Sequence, residues 1–302
     1  MSRIHEALKK AAEERSSKLA AGSATDLVDV AIGLGTASVI EPERVVSVRP
    51  EFRSNGAPAQ LQFEELVKKC AHPTWAIDAR TSVFHDVDSK KIGAERFRTL
   101  RSRLCQIATA QQLKRVLVTS SVPAEGKTFV AANLAHSIVR QNDRRVLLID
   151  ADLRASRLHL ALGAPAGPGL TDYLRGEVDE FTVIQKGTES NLFFIPGGTA
   201  VSNPSELLLA ERMKRLLERV TPLFDWIILD SPPALPVHDA SMLADLCDGV
   251  LFVVRAGETD YEMAEKASSE FRDKNLLGVV LNCVEKGDTY GTYYYGYPAT
   301  EK

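Results

Sequence analysis

The chain reads Ser120-Ser121-Val122-Pro123-Ala124-Glu125-Gly126-Lys127-Thr128 directly after the apolar run Arg115–Thr119. The run has the length and composition of a buried strand, and a helix is predicted over Lys127–Arg140. Gly126 allows the backbone to approach a ligand closely, and N–H groups at the start of a helix attract negative charge. The stretch therefore predicts a strand, an anion-binding loop and a helix, which is one unit of an α/β domain.

The residues of this loop indicate which anion it binds. A loop that ends in Gly-Lys-Thr between a strand and a helix is a phosphate-binding loop, here with Ser121 in place of the usual first glycine. Lys127 can bridge the β- and γ-phosphates of a nucleoside triphosphate, and the Thr128 hydroxyl can ligate Mg²⁺. The predicted ATP-binding residues run from the loop into the helix: Ser121, Val122, Pro123, Ala124, Glu125, Gly126, Lys127, Thr128 and Phe129.

Apolar runs of strand length continue beyond this loop and alternate with helical segments. The runs are Val146–Ile149, Leu192–Ile195, Trp226–Leu229, Val250–Val254 and Leu276–Leu281, and the helical segments are Ser205–Val220, Ala240–Leu246 and Asp260–Lys274. Buried strands that alternate with helices predict an α/β fold with a mainly parallel β-sheet flanked by helices. The phosphate-binding loop after the first strand is typical of the P-loop NTPase fold. In such sheets ligands bind at the carboxyl ends of the strands.

Aspartates follow two of these predicted strands. Asp150 and Asp152 come after Val146–Ile149, and Asp230 comes after Trp226–Leu229. Beside a magnesium nucleotide, one of two neighbouring carboxylates can accept a proton while the other holds the metal or its water. An aspartate at the end of an apolar strand is also the Walker B arrangement, in which the carboxylate orients Mg²⁺.

Composition and charge exclude several classes of function. The 302 residues are 44% hydrophobic and 25% charged, as in soluble globular proteins. A net charge of −3 argues against a dedicated nucleic-acid binder. The four cysteines have no metal-binding spacing, no apolar run is long enough to span a membrane, and the charged start is unlike a signal peptide. We therefore expect a cytoplasmic protein without a transmembrane span of its own.

The predicted domain contains residues 89–286, between an N-terminal extension, 1–88, and a tail, 287–302. The extension begins with a helix, Ser2–Leu19, and is weakly patterned from residue 20 onward, apart from a short helix at Phe63–Lys69. The tail holds five of the seven tyrosines: Tyr290, Tyr293, Tyr294, Tyr295 and Tyr297. Tyrosine-rich tails can be merely disordered or adhesive, but a flexible cluster beside an ATP site indicates a kinase that modifies itself.

A basic helix is predicted over 89–110. Glu95, Arg98 and Arg101 follow one another at three-residue intervals, so they lie near one face of the helix. Guanidinium groups pair well with carboxylates, which suits a contact with a neighbouring subunit. The alternative is a solvated basic helix without a partner.

Together these motifs resemble the bacterial tyrosine kinases (BY-kinases) of capsular and exopolysaccharide synthesis, in the MinD/ParA-like branch of P-loop proteins. The start of the chain is similar to kinases linked to exosortase-type loci. The resemblance implies Lys127, Asp150 and Asp152 as catalytic residues, with Asp150 as the base that activates tyrosine, and Thr128, Asp152 and Asp230 at the Mg²⁺ site. It also implies that Glu95, Arg98 and Arg101 join subunits and that the five tail tyrosines accept phosphate. Asn282 ends the last predicted strand, where relatives of this fold often contact adenine; the alternative is that it caps the strand.

The resemblance also implies ATP and Mg²⁺ as cofactors, a homo-oligomeric ring, a transmembrane chain-length-determinant adaptor and a tyrosine phosphatase. The protein is then expected at the inner membrane through this partner. The alternatives are a MinD/ParA-like ATPase switch without kinase activity and a non-catalytic scaffold. Val122 occupies the position of the signature lysine of MinD/ParA-like ATPases, which favours the kinase.

Overall fold

The computed structural model describes residues 61–84, 92–141, 143–187 and 191–284. The predicted helix Ser2–Leu19 and the five tail tyrosines lie outside these residues. The helices are α1 (Phe63–Lys69), α2 (Ile92–Ala110), α3 (Lys127–Val139), α4 (Leu158–Leu162), α5 (Leu170–Arg175), α6 (Glu180–Val183), α7 (Pro204–Leu209), α8 (Glu211–Val220), α9 (Asp239–Ala244) and α10 (Tyr261–Ser269). The strands are β1 (Arg115–Ser120), β2 (Val146–Asp150), β3 (Gln185–Lys186), β4 (Leu192–Ile195), β5 (Trp226–Asp230), β6 (Gly249–Arg255) and β7 (Leu276–Asn282).

The described strands form one seven-stranded sheet in the order β3-β4-β2-β5-β1-β6-β7. All neighbouring strands are parallel except the pair β3 and β4. Parallel strands need a crossover for each connection, which explains why helices alternate with them along the chain. The predicted α/β fold with a mainly parallel sheet is confirmed.

Successive strand residues pack into two separate hydrophobic clusters, one on each face of the sheet. In β1, Leu117 belongs to one cluster, and its neighbours Val116 and Val118 belong to the other. Helices α2 and α3 cover the second face. Because both faces are covered, the parallel strands are mainly apolar, and this is why they are visible in the sequence as continuous runs, unlike the short polar edge strand β3.

One predicted helix is divided into two in the structure. The prediction of a single helix over Ser205–Val220 is wrong, because Ala210 has an extended conformation with ψ 144° and separates α7 from α8. The break allows Leu208 of α7 and Met213 of α8 both to be buried. The short helices α4, α5 and α6 have too few turns to show a helical period, so no pattern predicted them.

Residues 61–84, which fall in the predicted N-terminal extension, pack on both faces of the sheet. Helix α1 occupies the predicted span Phe63–Lys69, and the Phe63 ring meets those of Phe193 and Phe224. The chain then pairs with the short edge strand β3, where Lys186 N donates to Ala71 O at 2.8 Å. On the opposite face the Trp75 ring meets Phe194 edge-on. The segment thus covers an edge that would otherwise expose backbone groups.

The same segment ends against helix α3. Asn133, fully buried in α3, accepts from Val83 N at 2.9 Å and donates to Thr81 O at 2.9 Å. Arg140 donates to Phe84 O at 2.9 Å, and its guanidinium lies over the Phe84 ring. Buried amides require such partners, so the segment completes the hydrogen bonding of α3. Because α3 begins at the phosphate-binding loop, this contact also supports the helix that carries the site.

Candidate active site

Three neighbouring strands bring the predicted site residues together. Strand β5 lies between β1 and β2, and in this register Asp230 pairs with both Asp150 and Val118. The phosphate-binding loop follows the carboxyl end of β1, at the same end of the sheet as these aspartates. Residues that are more than a hundred positions apart, such as Thr128 and Asp230, therefore meet at one place.

Two contacts join the start of α3 to the aspartates. Lys127 Nζ pairs with Asp152 Oδ2 at 2.9 Å, and Thr128 Oγ1 donates to Asp230 Oδ2 at 2.6 Å. Both carboxylates are almost completely buried. A buried charge is stable only when it is paired, so these contacts hold the lysine and the threonine in place.

Burial and mutual repulsion shift the pKa values of these groups upward. Burial is the main cause that raises the pKa of Asp150 to about 6 and that of Asp230 to about 8, and repulsion by neighbouring carboxylates contributes to both shifts. Burial alone lowers the pKa of Lys127, but the charges of Asp230, Asp152 and Asp150 outweigh it, and the net shift is upward. The cluster carries more negative charge than its lysine offsets, so it favours an added cation.

Asp150 is fixed by donors from the loop that follows it. Its Oδ2 accepts from Ser156 Oγ at 2.7 Å and from Leu158 N at 3.1 Å, and its Oδ1 accepts from Asp152 N at 3.3 Å. These donors favour the ionised form and oppose the effect of burial on its pKa. Sequence reasoning missed Ser156, because a serine in a polar loop carries no signal of its own.

The carboxylates also fit a magnesium ion. The Asp230 Oδ1 atom is buried and has no hydrogen-bond partner among the described residues, as expected where a ligand is to be added. Within the described ranges no group of three or more His, Cys, Asp or Glu could hold a metal by itself. Mg²⁺ is commonly bound by one or two carboxylates together with substrate phosphates, so Thr128, Asp152 and Asp230 are a suitable set.

Asn282 lies against the phosphate-binding loop from the end of β7. Its Nδ2 donates to Glu125 O at 2.9 Å, and a Cβ atom at Gly126 would overlap this nitrogen. Gly126 also has φ +92°, a conformation that other residues adopt only with strain. Glycine is therefore required at position 126 for two reasons. The contact of Asn282 with adenine stays a prediction.

An ion pair fixes the loop that carries Asp152. Arg154 Nε donates to Asp239 Oδ2 at 2.8 Å, and Asp239 is fully buried at the start of α9. Ser205, in α7, donates to Asp239 Oδ1 at 2.6 Å and accepts from Arg154 at 2.8 Å. Neither Ser205 nor Asp239 was predicted as a site residue, because their link to Arg154 exists only in the folded chain.

The basic helix α2 makes contacts within this chain. Arg98 pairs with Glu95 at 2.8 Å, and Arg101 Nη1 donates to Ser137 O of α3 at 2.6 Å. Arg101 thus joins α2 to α3, which carries Lys127, whereas Glu95 and Arg98 pair with each other on α2. Their predicted contact with a neighbouring subunit stays a proposal.

Comparison with known proteins identifies the family. Residues 123–263 match the family described as AAA domain. The tyrosine-protein kinase YwqD of Bacillus subtilis is 36% identical over 213 residues, which are 69% of this chain and 89% of that protein. The chain belongs to the bacterial tyrosine kinases. The tyrosine-protein kinase CpsD of Streptococcus agalactiae is a similar match to this kinase, at 34% identity over 68% of the chain and 93% of CpsD.

Longer relatives and solved structures support the assignment to this family. The chain is 35% identical to the tyrosine-protein kinase wzc of Salmonella typhimurium, but it spans only 30% of that protein. The kinase domain of the Escherichia coli tyrosine kinase ETK has 28% identity and a TM-score of 0.65, over 76% of this chain and 96% of that one. The chimerical protein CapA2B2 has 25% identity and the same TM-score, over 74% and 98% of the two chains. The resemblance derived from the motifs is therefore confirmed, and kinase activity is favoured over an ATPase switch.

In the part of this bacterial tyrosine kinase that the structure describes, no helix combines the length and apolar character that a membrane crossing requires.

Proposed function

We propose that this kinase transfers the γ-phosphate of ATP to its own tyrosines at positions 290–297 and thereby regulates exopolysaccharide polymerisation and export. One observation carries the proposal: Lys127, Thr128, Asp150, Asp152 and Asp230 converge at one edge of the sheet, with pairs at 2.9 Å and 2.6 Å. A phosphate loop alone would serve any nucleotide-binding protein. The additional buried Asp150 supplies an acceptor for the tyrosine proton.

In the proposed reaction the tyrosine oxygen forms a bond to the γ-phosphorus as the bond to the β,γ-bridging oxygen breaks, and ADP leaves. The tyrosine proton passes to the Asp150 carboxylate, whose orientation Ser156 and Leu158 N maintain. The Lys127 ammonium offsets the charge that spreads over the transferring group. Bound Mg²⁺, held by Thr128, Asp152 and Asp230, would neutralise phosphate charge.

The proposal extends to assembly. Glu95, Arg98 and Arg101 would contact a neighbouring subunit in a homo-oligomeric ring, which would place each tail near the site of its neighbour. Each phosphate adds about −1.5 to −2 charge, so phosphorylated tails would repel one another and the ring would dissociate. A tyrosine phosphatase would reverse this step, and a transmembrane chain-length-determinant adaptor would hold the kinase at the cytoplasmic side of the inner membrane.

Mass spectrometry after incubation with Mg·ATP tests the autokinase reaction. We expect phosphate on Tyr290, Tyr293, Tyr294, Tyr295 and Tyr297, since these five hydroxyls are clustered within eight positions near the C-terminus. A variant with phenylalanine at all five positions is the control and should bind Mg·ATP like the wild type without this phosphate. Rapid ATP hydrolysis with no phosphotyrosine in the wild type would contradict the proposal and favour the ATPase switch.

Mixed chains test whether phosphorylation occurs between subunits. A Lys127→Met chain with an intact tail is incubated with an active chain that lacks residues 287–302. We expect phosphate on the tail of the Lys127→Met chain, and we expect Arg98→Ala or Arg101→Ala in both chains to reduce it. If the Lys127→Met chain receives no phosphate while the full-length wild type phosphorylates itself, the reaction is intramolecular.

A further inference from the structure

Glu125 is a buried carboxylate inside the phosphate-binding loop, with only 2% of its surface exposed. Its Oε2 accepts from Val122 N, within the same loop, at 2.8 Å. Its Oε1 accepts from the Thr259 hydroxyl at 2.5 Å, and Thr259 follows β6 and is 95% buried. The carboxylate therefore joins the loop to a segment 134 positions further along the chain.

The residues on either side of Glu125 have left-handed backbone conformations. Gly126 has φ +92°, which glycine adopts freely, but Ala124 has φ +67°. A residue with a Cβ atom is strained in this region and keeps that conformation only when surrounding contacts impose it. The contacts of the Glu125 carboxylate on both sides of the loop supply this constraint.

The ends of two strands support the loop from the same side. Asn282, at the end of β7, donates to the Glu125 carbonyl at 2.9 Å. Arg255, at the end of β6, donates its backbone N–H to the Thr259 hydroxyl oxygen at 3.2 Å and to Glu125 Oε1 at 3.5 Å. Lys127 instead points to Asp152 at 2.9 Å. The Glu125 side chain thus lies on the supporting side of the loop, while Lys127 joins the aspartate cluster.

We propose that Glu125 is a positioning residue, whose buried carboxylate, bonded to Thr259 and to the Val122 amide, holds the phosphate loop in the strained conformation that receives a nucleotide's β-phosphate. The inference rests on the proposed binding of ATP at this loop and assigns Glu125 no contact with the reacting atoms. Without the carboxylate, the Val122 amide and the Thr259 hydroxyl lose their acceptor and the loop relaxes at Ala124.

Calorimetric titration of the full chain with Mg·ADP tests the proposal, together with the unfolding temperature without nucleotide. Glu125→Ala should weaken binding by roughly 10-fold or more, because buried donors are left unpaired. Thr259→Val removes one of these donors and should weaken binding by about threefold. Glu125→Gln should remain within about threefold of the wild type, since its carbonyl can accept from Val122 and its amide can donate to the Thr259 oxygen. Glu262→Gln, which neutralises an exposed carboxylate in α10, is the control.

A second substitution separates positioning from a general loss of stability. Ala124→Gly removes the strain at φ +67°, so Glu125→Ala combined with Ala124→Gly should recover at least about threefold in Mg·ADP affinity. Unchanged affinity in both Glu125→Ala and Thr259→Val would overturn the proposal. If Glu125→Ala does not fold, the affinities of Thr259→Val and Thr259→Ser decide, and only the serine variant should match the wild type. A wild type that does not bind Mg·ADP would overturn the proposed function itself, a result distinct from equal binding by wild type and variants.

Discussion

A Lys127→Met chain is expected to phosphorylate its own tyrosines at least about 10²–10³-fold more slowly than the wild type. The Lys127 ammonium lies 2.9 Å from Asp152, at the start of the helix that follows the phosphate-binding loop, and in the proposed reaction it offsets the charge of the phosphates. Methionine has a similar length but no charge, so the variant loses phosphate binding and leaves the Asp152 carboxylate without its partner. The initial rate of phosphate incorporation measures the loss of activity, and titration with Mg·ADP measures the loss of phosphate binding.

The Asp150→Asn variant is the comparison for Lys127→Met, because it should impair phosphate transfer and leave nucleotide binding intact. Asparagine has nearly the same shape and can still accept from Ser156, but it cannot take the proton of a tyrosine. We expect the phosphorylation rate to fall by about 10²–10⁴-fold while Mg·ADP affinity stays within a few-fold of the wild type. Wild-type rates in either variant, or an equal loss of Mg·ADP binding in both, would contradict the roles proposed for these residues.

Removal of residues 1–88 is expected to prevent the kinase domain from folding stably, whereas removal of residues 1–60 is not. Leu66 and Phe84 are buried, and burial of one such side chain contributes about 1.5–3 kcal/mol. The deletion would also expose the edge strand β3 and leave the buried Asn133 amide without Val83 and Thr81. Together these losses approach the whole stability of a typical domain. Denaturant unfolding of chains that begin at Leu61 and at Ser89 measures the difference.

Point substitutions check whether the segment acts through packing. Leu66→Ala should lower the free energy of unfolding by about 2–5 kcal/mol because it leaves a cavity. Lys68→Ala, on the exposed side of the same helix, should change it by less than about 0.5 kcal/mol. A chain that begins at Ser89 and unfolds at the same denaturant concentration as one that begins at Leu61 would show that the domain boundary predicted at residue 89 is correct.

The sequence by itself determined the six parallel strands, the phosphate-binding loop and the identity of the aspartates at strand ends, but not the short polar strand β3. Strands buried on both faces must be apolar at every position, and a loop that holds phosphates must have glycine, lysine and threonine at set places, so both features are local and visible. From them the α/β fold, the family and the convergence of Lys127 with Asp150 and Asp230 could be predicted.

Only the tertiary structure decided which side chains support that site. The contacts of Glu125 with Thr259, of Arg154 with Asp239 and of Asn133 with Val83 each join residues at least 50 positions apart. A polar residue in a loop has the same appearance in the sequence whether it meets a buried partner or water, so no local pattern can reveal such pairs. The segment 61–84 was obscure for the same reason. Apart from the predicted helix Phe63–Lys69, its apolar residues are spread over two faces of the sheet and form no regular pattern in the sequence.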